Sequence, residues 1–210
     1  MADPRRISRR EQYAEETRQA IVDAARKLFA ERGFFATKVD DIAAEARVSP
    51  ATVYAVAGGK QGLLDELVRI WSTDPAIQGA RERVSAATSG REIITITGDA
   101  SRAHRERFGD LMRILLDTAP HDAAVAAQLD SATKQFRAEL AEYAERLAQL
   151  GPLRDGIDET HAVDILWFYF GYSSYFTLHD DNGWSYERAE RWLVDQAIRD
   201  LLAPDSSAPQ

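Results

Sequence analysis

The chain of 210 residues has 45% hydrophobic and 29% charged residues and contains no cysteine. This length supports a sizeable core without metal, and the missing thiols exclude disulfides, thiolate nucleophiles, iron–sulfur clusters and cysteine zinc sites. The net charge of −8 is uneven, because residues 1–60 carry 11 Lys+Arg against 9 Asp+Glu (net +2) and residues 61–210 carry 15 against 25 (net −10). The basic first part is compatible with nucleic-acid binding.

The first ten residues contain four arginines, Arg5, Arg6, Arg9 and Arg10. A flexible basic arm would reach a polyanion, although a solvated tail explains the same residues. The N-terminus lacks the apolar stretch of a signal peptide, and no later run approaches the ~18–20 residues that span a bilayer. We therefore expect a cytoplasmic protein without a membrane partner.

The first predicted helix ends at Gly33 and begins either at Thr17 or at Ser8, where Glu11 completes a capping-box pattern. Its apolar residues recur at helical spacing and form one stripe, which contains Ile21, Val22, Ala25, Leu28 and Phe29. This pattern predicts a helix that packs against other elements through one face.

Two short helices follow. Thr37 caps the second predicted helix, with Asp40 at the position of a capping acid. Ser49–Pro50 begins the third predicted helix, which runs to about Val56 and stops at Gly58–Gly59. The short connection predicts a helix-turn-helix, although a helical hairpin inside a core has the same spacing.

The remaining sequence predicts longer amphipathic helices with a series of breaks, at Asp74–Pro75, Ser89–Gly90, Ala119–Pro120, Gly151–Pro152 and Asp181–Asn182–Gly183. The run Ile93–Thr97 is a helix segment or a loop edge. The predicted fold is all-α, with a helix-turn-helix domain over 1–60, a second helical domain over 61–203 and a disordered tail over 204–210.

Five motifs occur in the first part of the chain: LFAERGF at 28–34, AT at 36–37, DIA at 41–43, VSPATVY at 48–54 and GKQGLL at 59–64. Together they resemble the TetR family of bacterial helix-turn-helix transcriptional regulators. The resemblance implies an all-helical homodimer in which three N-terminal helices bind a palindromic operator. It also implies a C-terminal domain of about six helices that holds a small-molecule pocket and the dimer interface.

The family's pattern and the chemistry of the turn assign DNA contacts to both short helices. Helix N-termini offer free N–H groups to phosphate, and cations add a sequence-independent attraction. The predicted phosphate contacts are Thr37, Lys38, Arg47, Ser49, Tyr54 and Lys60. The predicted base contacts, through a hydroxyl or apolar groups, are Pro50, Ala51, Thr52 and Ala55. Alternatively, Thr37 only caps its helix and Tyr54 is partly core.

The sequence departs from the family's pattern at two places. Arg47 stands where many members have glycine, and it would be strained if its φ were positive, although it would add a phosphate contact. Ala55–Val56–Ala57 replaces an aromatic-rich helix end. The operator sequence therefore cannot be transferred from the family.

The segment His161–Leu178 is apolar nearly all round, so a helix there would bury one face in its own domain and another in a partner. A final helix after Ser185 would join a two-fold interface. The predicted interface residues are Trp167, Tyr169, Phe170, Ser174, Trp192, Leu193, Ala197 and Leu201. A monomer that buries these aromatic residues internally is the alternative.

A pocket for an apolar or aromatic effector is predicted between the middle helices. Its candidate residues equally suit a plain core: Trp71, Phe108, Met112, Leu115, Phe136, Leu140, Tyr143, Phe168 and Tyr172. His104 and Arg105 would supply a polar handle, unless they are exposed.

The resemblance therefore implies a homodimeric repressor that a small ligand releases from DNA, while the sequence itself also allows activation or co-repression. A DNA-binding protein controlled by a protein partner is the first alternative. An all-helical enzyme is the second, but H-E-x-x-H, G-x-S-x-G and phosphate-binding glycine motifs are absent, and the four histidines lack ligand spacing. We expect no enzyme activity, no cofactor and no metal.

Overall fold

The computed structural model describes residues 8–204. Within this range the fold is all-α, as predicted, and contains no β-strand; an isolated bridge pairs Leu153 with Leu202. No helix in the same range is long and apolar enough to cross a membrane. The predictions for Arg5 and Arg6 in the basic arm, and for residues 205–210 of the tail, lie outside the described residues.

In chain order, the helices of the described range are α1 Arg9–Arg32, α2 Val39–Glu45, α3 Pro50–Ala57, α4 Lys60–Ser72, α5 Pro75–Ala86, α6 Gly90–Thr118, α7 Ala123–Leu150, α8 Glu159–Phe170, α9 Tyr172–Phe176 and α10 Tyr186–Leu201. A 3₁₀ turn, Ala119–His121, lies between α6 and α7, and a π-helical turn, Thr177–Asp181, follows α9. The run Ile93–Thr97 is a helix segment within α6.

Several helix ends lie where the sequence predicts them. Ser8 caps α1 in a capping box, since its hydroxyl accepts from the Glu11 N–H at 3.2 Å and its own N–H donates to the Glu11 carboxylate at 2.8 Å. Asp74 and Ser185 cap α5 and α10. The start of α2 is a correction: Lys38, not Thr37, is the N-cap residue, and its N–H donates to the Asp41 carboxylate instead of to Asp40.

The chain forms two compact units. The first unit comprises residues 8–72 and 113–126 of the described chain, and the second comprises residues 73–112 and 127–204. In the first unit the apolar stripe of α1 packs with α2 and α4, and α3 packs with the same two helices. The buried side chains include Ile21, Leu28, Phe29, Ile42, Val53, Leu63 and Leu64.

The core of the second unit lies between α6, α7, α8 and α10. Each helix contributes side chains that are fully or almost fully buried, among them Ile93, Ile94, Leu140, Leu147, Leu166, Phe170, Leu193, Ala197 and Leu201. Burial of each large apolar side chain in this set contributes about 1.5–3 kcal/mol to the free energy of unfolding.

The segment His161–Leu178 is not one helix, which corrects the sequence prediction. Gly171 ends α8 with an extended backbone (φ −67°, ψ −172°), and α9 begins at the next residue. A Cβ atom at Gly171 would collide with the carbonyl oxygen of Trp167. Only glycine therefore fits at this position, where the backbone lies very close to the Trp167 carbonyl group.

Candidate DNA-binding helix-turn-helix

Local hydrogen bonds set the start and the end of α3. The Ser49 hydroxyl accepts from the Thr52 N–H at 3.1 Å and lies 2.8 Å from the Thr52 hydroxyl, and Pro50 occupies the first helical position. Gly58 ends the helix in the left-handed region, with φ 69°. These caps confirm the predicted third helix, which ends at Ala57, one residue beyond the predicted end.

The turn between α2 and α3 contains a strained residue. Arg47 has φ 58°, and it is the one non-glycine residue with a positive φ in the described range. The Arg47 N–H donates to the Ala44 carbonyl at 3.2 Å, and the Val48 N–H donates to the Ala43 carbonyl at 2.9 Å. The turn therefore keeps an exposed arginine in the conformation that glycine adopts more readily.

One side of α3 is exposed and the other is buried. Val53 is completely buried against the first unit's core, whereas Pro50, Ala51 and Ala55 are exposed and Thr52 is half-buried. Tyr54 is 58% exposed despite its large ring. These residues include all four predicted base contacts, and they lie on one short helix.

Tyr54 and Gly59 are neighbours at the end of α3. A Cβ atom at Gly59 would lie 2.9 Å from the Tyr54 ring, so glycine leaves room for the ring. A Cβ atom at Gly62 would collide with the Ala57 carbonyl oxygen, which shows that α4 begins in very close contact with the end of α3.

The predicted phosphate contacts at the start of α2 differ in exposure. The Thr37 side chain is 1% exposed, and its hydroxyl lies 2.8 Å from the Gly33 carbonyl oxygen and 3.1 Å from that of Leu28. This hydroxyl closes the connection between α1 and α2 and cannot reach a phosphate, so the predicted side-chain contact is corrected. Lys38 is exposed.

Lys60, at the start of α4, stabilises the connection between α1 and α2. Its ammonium group donates to the carbonyl oxygens of Phe34 at 2.7 Å and of Thr37 at 3.1 Å, with a longer contact to Phe35 at 3.4 Å. The ammonium nitrogen lies 4.5 Å from the centre of the Phe34 ring. Burial lowers the pKa of Lys60. The sequence gives no signal for these contacts, because the carbonyl groups lie 23–26 residues earlier in the chain.

The predicted pocket residues divide between the two units. Trp71 and Leu115 belong to the first unit, and the others belong to the second. Most are buried, which suits a pocket and a plain core equally. Phe168 is 71% exposed, so its predicted position in an internal pocket is corrected.

An open cleft of about 740 Å³ lies on the second unit and differs from the predicted pocket. The ends of α7 and α10 and the start of α6 form it, and Leu147, Ile198, Leu202 and three arginines line it. The predicted pocket residues are not among its described lining residues. The pocket itself therefore stays a prediction.

The predicted interface residues are corrected in part. Phe170, Leu193, Ala197 and Leu201 are at most 2% exposed and pack inside the second unit. Tyr169 is 8% exposed, and its hydroxyl donates to the Asp200 carboxylate at 2.6 Å. Trp192 is 44% exposed, while Trp167 and Ser174 are half-buried. On α8 and α10 the large exposed aromatic side chains are therefore those of Phe168 and Trp192.

Comparison with known proteins identifies the fold of the chain and the family of its N-terminal part. Residues 21–67 match the family model of bacterial regulatory proteins, tetR family. Over 157 residues the chain is 28% identical to the HTH-type transcriptional regulator YdeS of Bacillus subtilis (strain 168), an alignment that covers 73% of this chain and 75% of YdeS.

Two solved structures share the fold at low sequence identity. A transcriptional regulator from Saccharomonospora viridis, determined in complex with choline, superposes with a TM-score of 0.74 at 18% identity and covers 90% of this chain and 100% of its own. The regulator FadR from Bacillus subtilis, in complex with stearoyl-CoA, gives a TM-score of 0.69 at 16% identity, with coverages of 86% and 97%.

A helix-turn-helix with an exposed second helix, joined to a larger helical unit, defines the class of DNA-binding transcriptional regulators. The sequence motifs and the match over residues 21–67 make the assignment more specific. Over residues 21–67 the chain contains the N-terminal domain of the TetR family of bacterial regulatory proteins.

Proposed function

We propose that the protein is a homodimeric repressor that binds a palindromic operator and is released from it by a small apolar or aromatic ligand. The observation that carries the DNA-binding part is the exposed face of α3, on which the large ring of Tyr54 remains 58% exposed. A short helix with small side chains on its exposed face fits the major groove.

The proposed DNA interface combines this face with nearby cations. Lys38, Arg47, Ser49 and Tyr54 contact phosphates, and the backbone N–H groups at the start of α2 add to this contact. Base edges are contacted by Pro50, Ala51, Thr52 and Ala55. Lys60 and the Thr37 side chain support the interface from inside, since they fix the connection between α1 and α2.

The proposed dimer forms through α8 and α10 of the second unit. Phe168 and Trp192 are among the exposed large hydrophobic side chains of the described chain, and Trp167 adds a half-buried ring. The helices α8 and α10 pack against each other, and exposed apolar groups on neighbouring helices mark an interaction surface. A two-fold interface of this kind matches the symmetry of a palindromic operator.

Release by a ligand follows from the geometry that a palindrome imposes. Two recognition helices read successive major grooves only when the half-site centres are roughly 34–36 Å apart. A ligand that prefers a dimer with another spacing shifts the population away from DNA by its differential affinity for the two forms.

The test is selection of bound sequences from a random duplex pool at a stated salt concentration, followed by affinity measurements on the selected duplex. We expect a palindromic consensus. Tyr54→Phe removes only an exposed phenolic hydroxyl and should weaken operator binding by about tenfold without changing the thermal midpoint. Tyr13→Phe is the matched control, because Tyr13 is 69% exposed on α1 outside the helix-turn-helix.

Recovery of sequences without two-fold symmetry would contradict the dimeric operator model. Equal effects of Tyr54→Phe and Tyr13→Phe would contradict the proposed position of α3 on DNA.

A further inference from the structure

The second unit contains a fully buried cation that the DNA-binding function does not use. Arg105 on α6 is 2% exposed and has the largest fully buried side chain in the described range. One terminal nitrogen donates to the Ser101 carbonyl at 3.1 Å, and the other donates to the carbonyl oxygens of Phe170 at 3.0 Å and Gly171 at 2.6 Å. The guanidinium carbon lies 5.1 Å from the centre of the Tyr175 ring.

This cation has no carboxylate partner among residues 8–204, and its Nε is buried without a hydrogen-bond acceptor there. Burial lowers the pKa of Arg105 to about 10, so the group remains protonated at neutral pH. A buried charge that only neutral carbonyl groups and one aromatic ring compensate is expensive, and an apolar side chain of similar volume is often as stable or more stable. Stability alone therefore does not explain an arginine at this position.

The backbone around Arg105 is irregular at three places. Gly171 separates α8 from α9, and its carbonyl oxygen accepts a hydrogen bond from Arg105. The π-helical turn Thr177–Asp181 follows α9, and Phe108, three residues after Arg105, has non-helical angles inside α6 (φ −132°, ψ 15°). Irregularities of this kind concentrate at functional sites.

Polar groups that suit an acid also lie near this guanidinium. The Tyr175 ring lies against Arg105, and burial raises the pKa of Tyr172 while the nearby charge of Arg105 opposes that shift. The Tyr172 hydroxyl lies 3.3 Å from the Thr133 hydroxyl, in the part of the second unit where the sequence predicts the pocket. A guanidinium next to hydroxyl groups and aromatic rings provides the donors that a carboxylate needs and an apolar surface for the rest of the molecule.

We propose that the effector is an organic anion and that Arg105 binds its acidic group inside the second unit. This assignment rests on the proposed function, because it names the chemical class of the ligand that releases the protein from DNA. The Nε–H of Arg105 donates to the acid, and the negative charge of the ligand neutralises the buried cation. A neutral molecule of the same shape would lack this gain.

The experiment compares two acids with their neutral analogues on the full chain: benzoate with benzamide, and octanoate with octan-1-ol. Thermal unfolding and titration calorimetry measure binding to the wild type. We expect at least one acid to raise the thermal midpoint by about 3 °C at a concentration well above its dissociation constant, and both neutral analogues to leave it unchanged.

Variants at Arg105 then test whether its guanidinium binds the acid. Arg105→Gln should weaken binding of the acid by at least about tenfold, while Arg105→Lys, which keeps the charge, should retain more of the affinity. Arg91→Gln is the matched control, because Arg91 is an exposed arginine on the same helix, and it should change the affinity by no more than about twofold. The wild-type comparison of acid with neutral analogue remains decisive if Arg105→Gln does not fold.

The proposal is overturned if neither acid shifts the midpoint, if an acid and its neutral analogue act equally, or if Arg105→Gln binds the acid as the wild type does. In the last case Arg105 only caps the end of α8. The proposed function fails differently, through a protein that selects no palindromic duplex. A neutral compound that releases wild type and Arg105→Gln equally from the operator would contradict the proposed anionic effector. It would not contradict the proposed repressor function.

Discussion

Lys60→Met tests whether the ammonium group at the start of α4 supports the fold or contacts DNA. Methionine keeps most of the length of the side chain and removes the charge. The substitution therefore removes the donors to the carbonyl groups of Phe34 and Thr37, and also the contact with the Phe34 ring. The hydrophobic packing of the stem is retained.

The expected loss follows from these contacts. A hydrogen bond with one charged partner contributes about 1.5–3 kcal/mol, and the ring contact adds about 0.5–1 kcal/mol. Burial of the ammonium group, which lowers the pKa of Lys60, offsets part of this gain. We therefore expect Lys60→Met to lower the free energy of unfolding by about 2 kcal/mol, which corresponds to roughly 4–8 °C in the thermal midpoint.

The assay measures thermal unfolding of the protein without DNA and operator affinity as a function of salt. Lys38→Met is the matched control, because Lys38 is an exposed lysine near the same connection. We expect this control to change stability by less than about 0.5 kcal/mol and to make the slope of log affinity against log salt shallower by about 1. Lys60→Met should show the opposite pattern, with a lower midpoint and an unchanged slope at a temperature where it is folded.

An unchanged midpoint for Lys60→Met together with a shallower salt slope would refute this reasoning. Lys60 would then be a phosphate contact, as the family's pattern implies, and its carbonyl contacts would contribute little to the fold.

Three further substitutions test the turn, a buried histidine and the proposed interface. Arg47→Gly relieves the positive φ and should stabilise the fold by up to about 1 kcal/mol, while the salt slope of operator binding becomes shallower by about 1; an unchanged slope would remove Arg47 from the phosphate contacts. Burial lowers the pKa of His104 from 6.5 to about 4, so the unfolded chain binds the additional proton and stability should fall by up to about 3 kcal/mol as the pH drops from about 6.5 to about 4. Denaturant unfolding of His104→Gln should show a smaller decline over this range, and an equal decline in both proteins would contradict the assignment. Phe168→Ser combined with Trp192→Ser should produce a monomer in sedimentation, whereas Phe35→Ser, at a residue 55% exposed in the first unit, should not; a dimer that survives the double change would place the interface elsewhere.

Local sequence patterns predict the elements of the helix-turn-helix well. The capping box of Ser8 and Glu11, the pair Ser49–Pro50 and the stop at Gly58 all act within four residues along the chain. Hydrogen bonds over such distances depend on residue type and spacing alone. The sequence named strain at Arg47 only as the consequence of a positive φ, and the structure gives this residue a φ of 58°.

Side chains with more than one suitable environment are predicted less well. The sequence assigns Thr37 to a phosphate, but its hydroxyl bonds to carbonyl groups of the connection after α1. Phe170 and Phe168 are two positions apart and equally apolar, yet the first is completely buried and the second is 71% exposed. Composition cannot separate them, because a helix that is apolar all round does not indicate which face its own unit covers.

The sequence by itself determined the all-α class, most helix ends, the helix-turn-helix and the family of the N-terminal part, since these follow from short-range hydrogen bonding, periodicity and contiguous motifs. The tertiary structure alone decided which aromatic groups are exposed, that Lys60 holds the connection between α1 and α2, and that Arg105 is a buried cation at the end of α8. The hydrogen bonds of Lys60 and Arg105 to distant carbonyl groups join residues 23 to 66 positions apart. Their geometry depends on how the helices pack, and no local pattern records it.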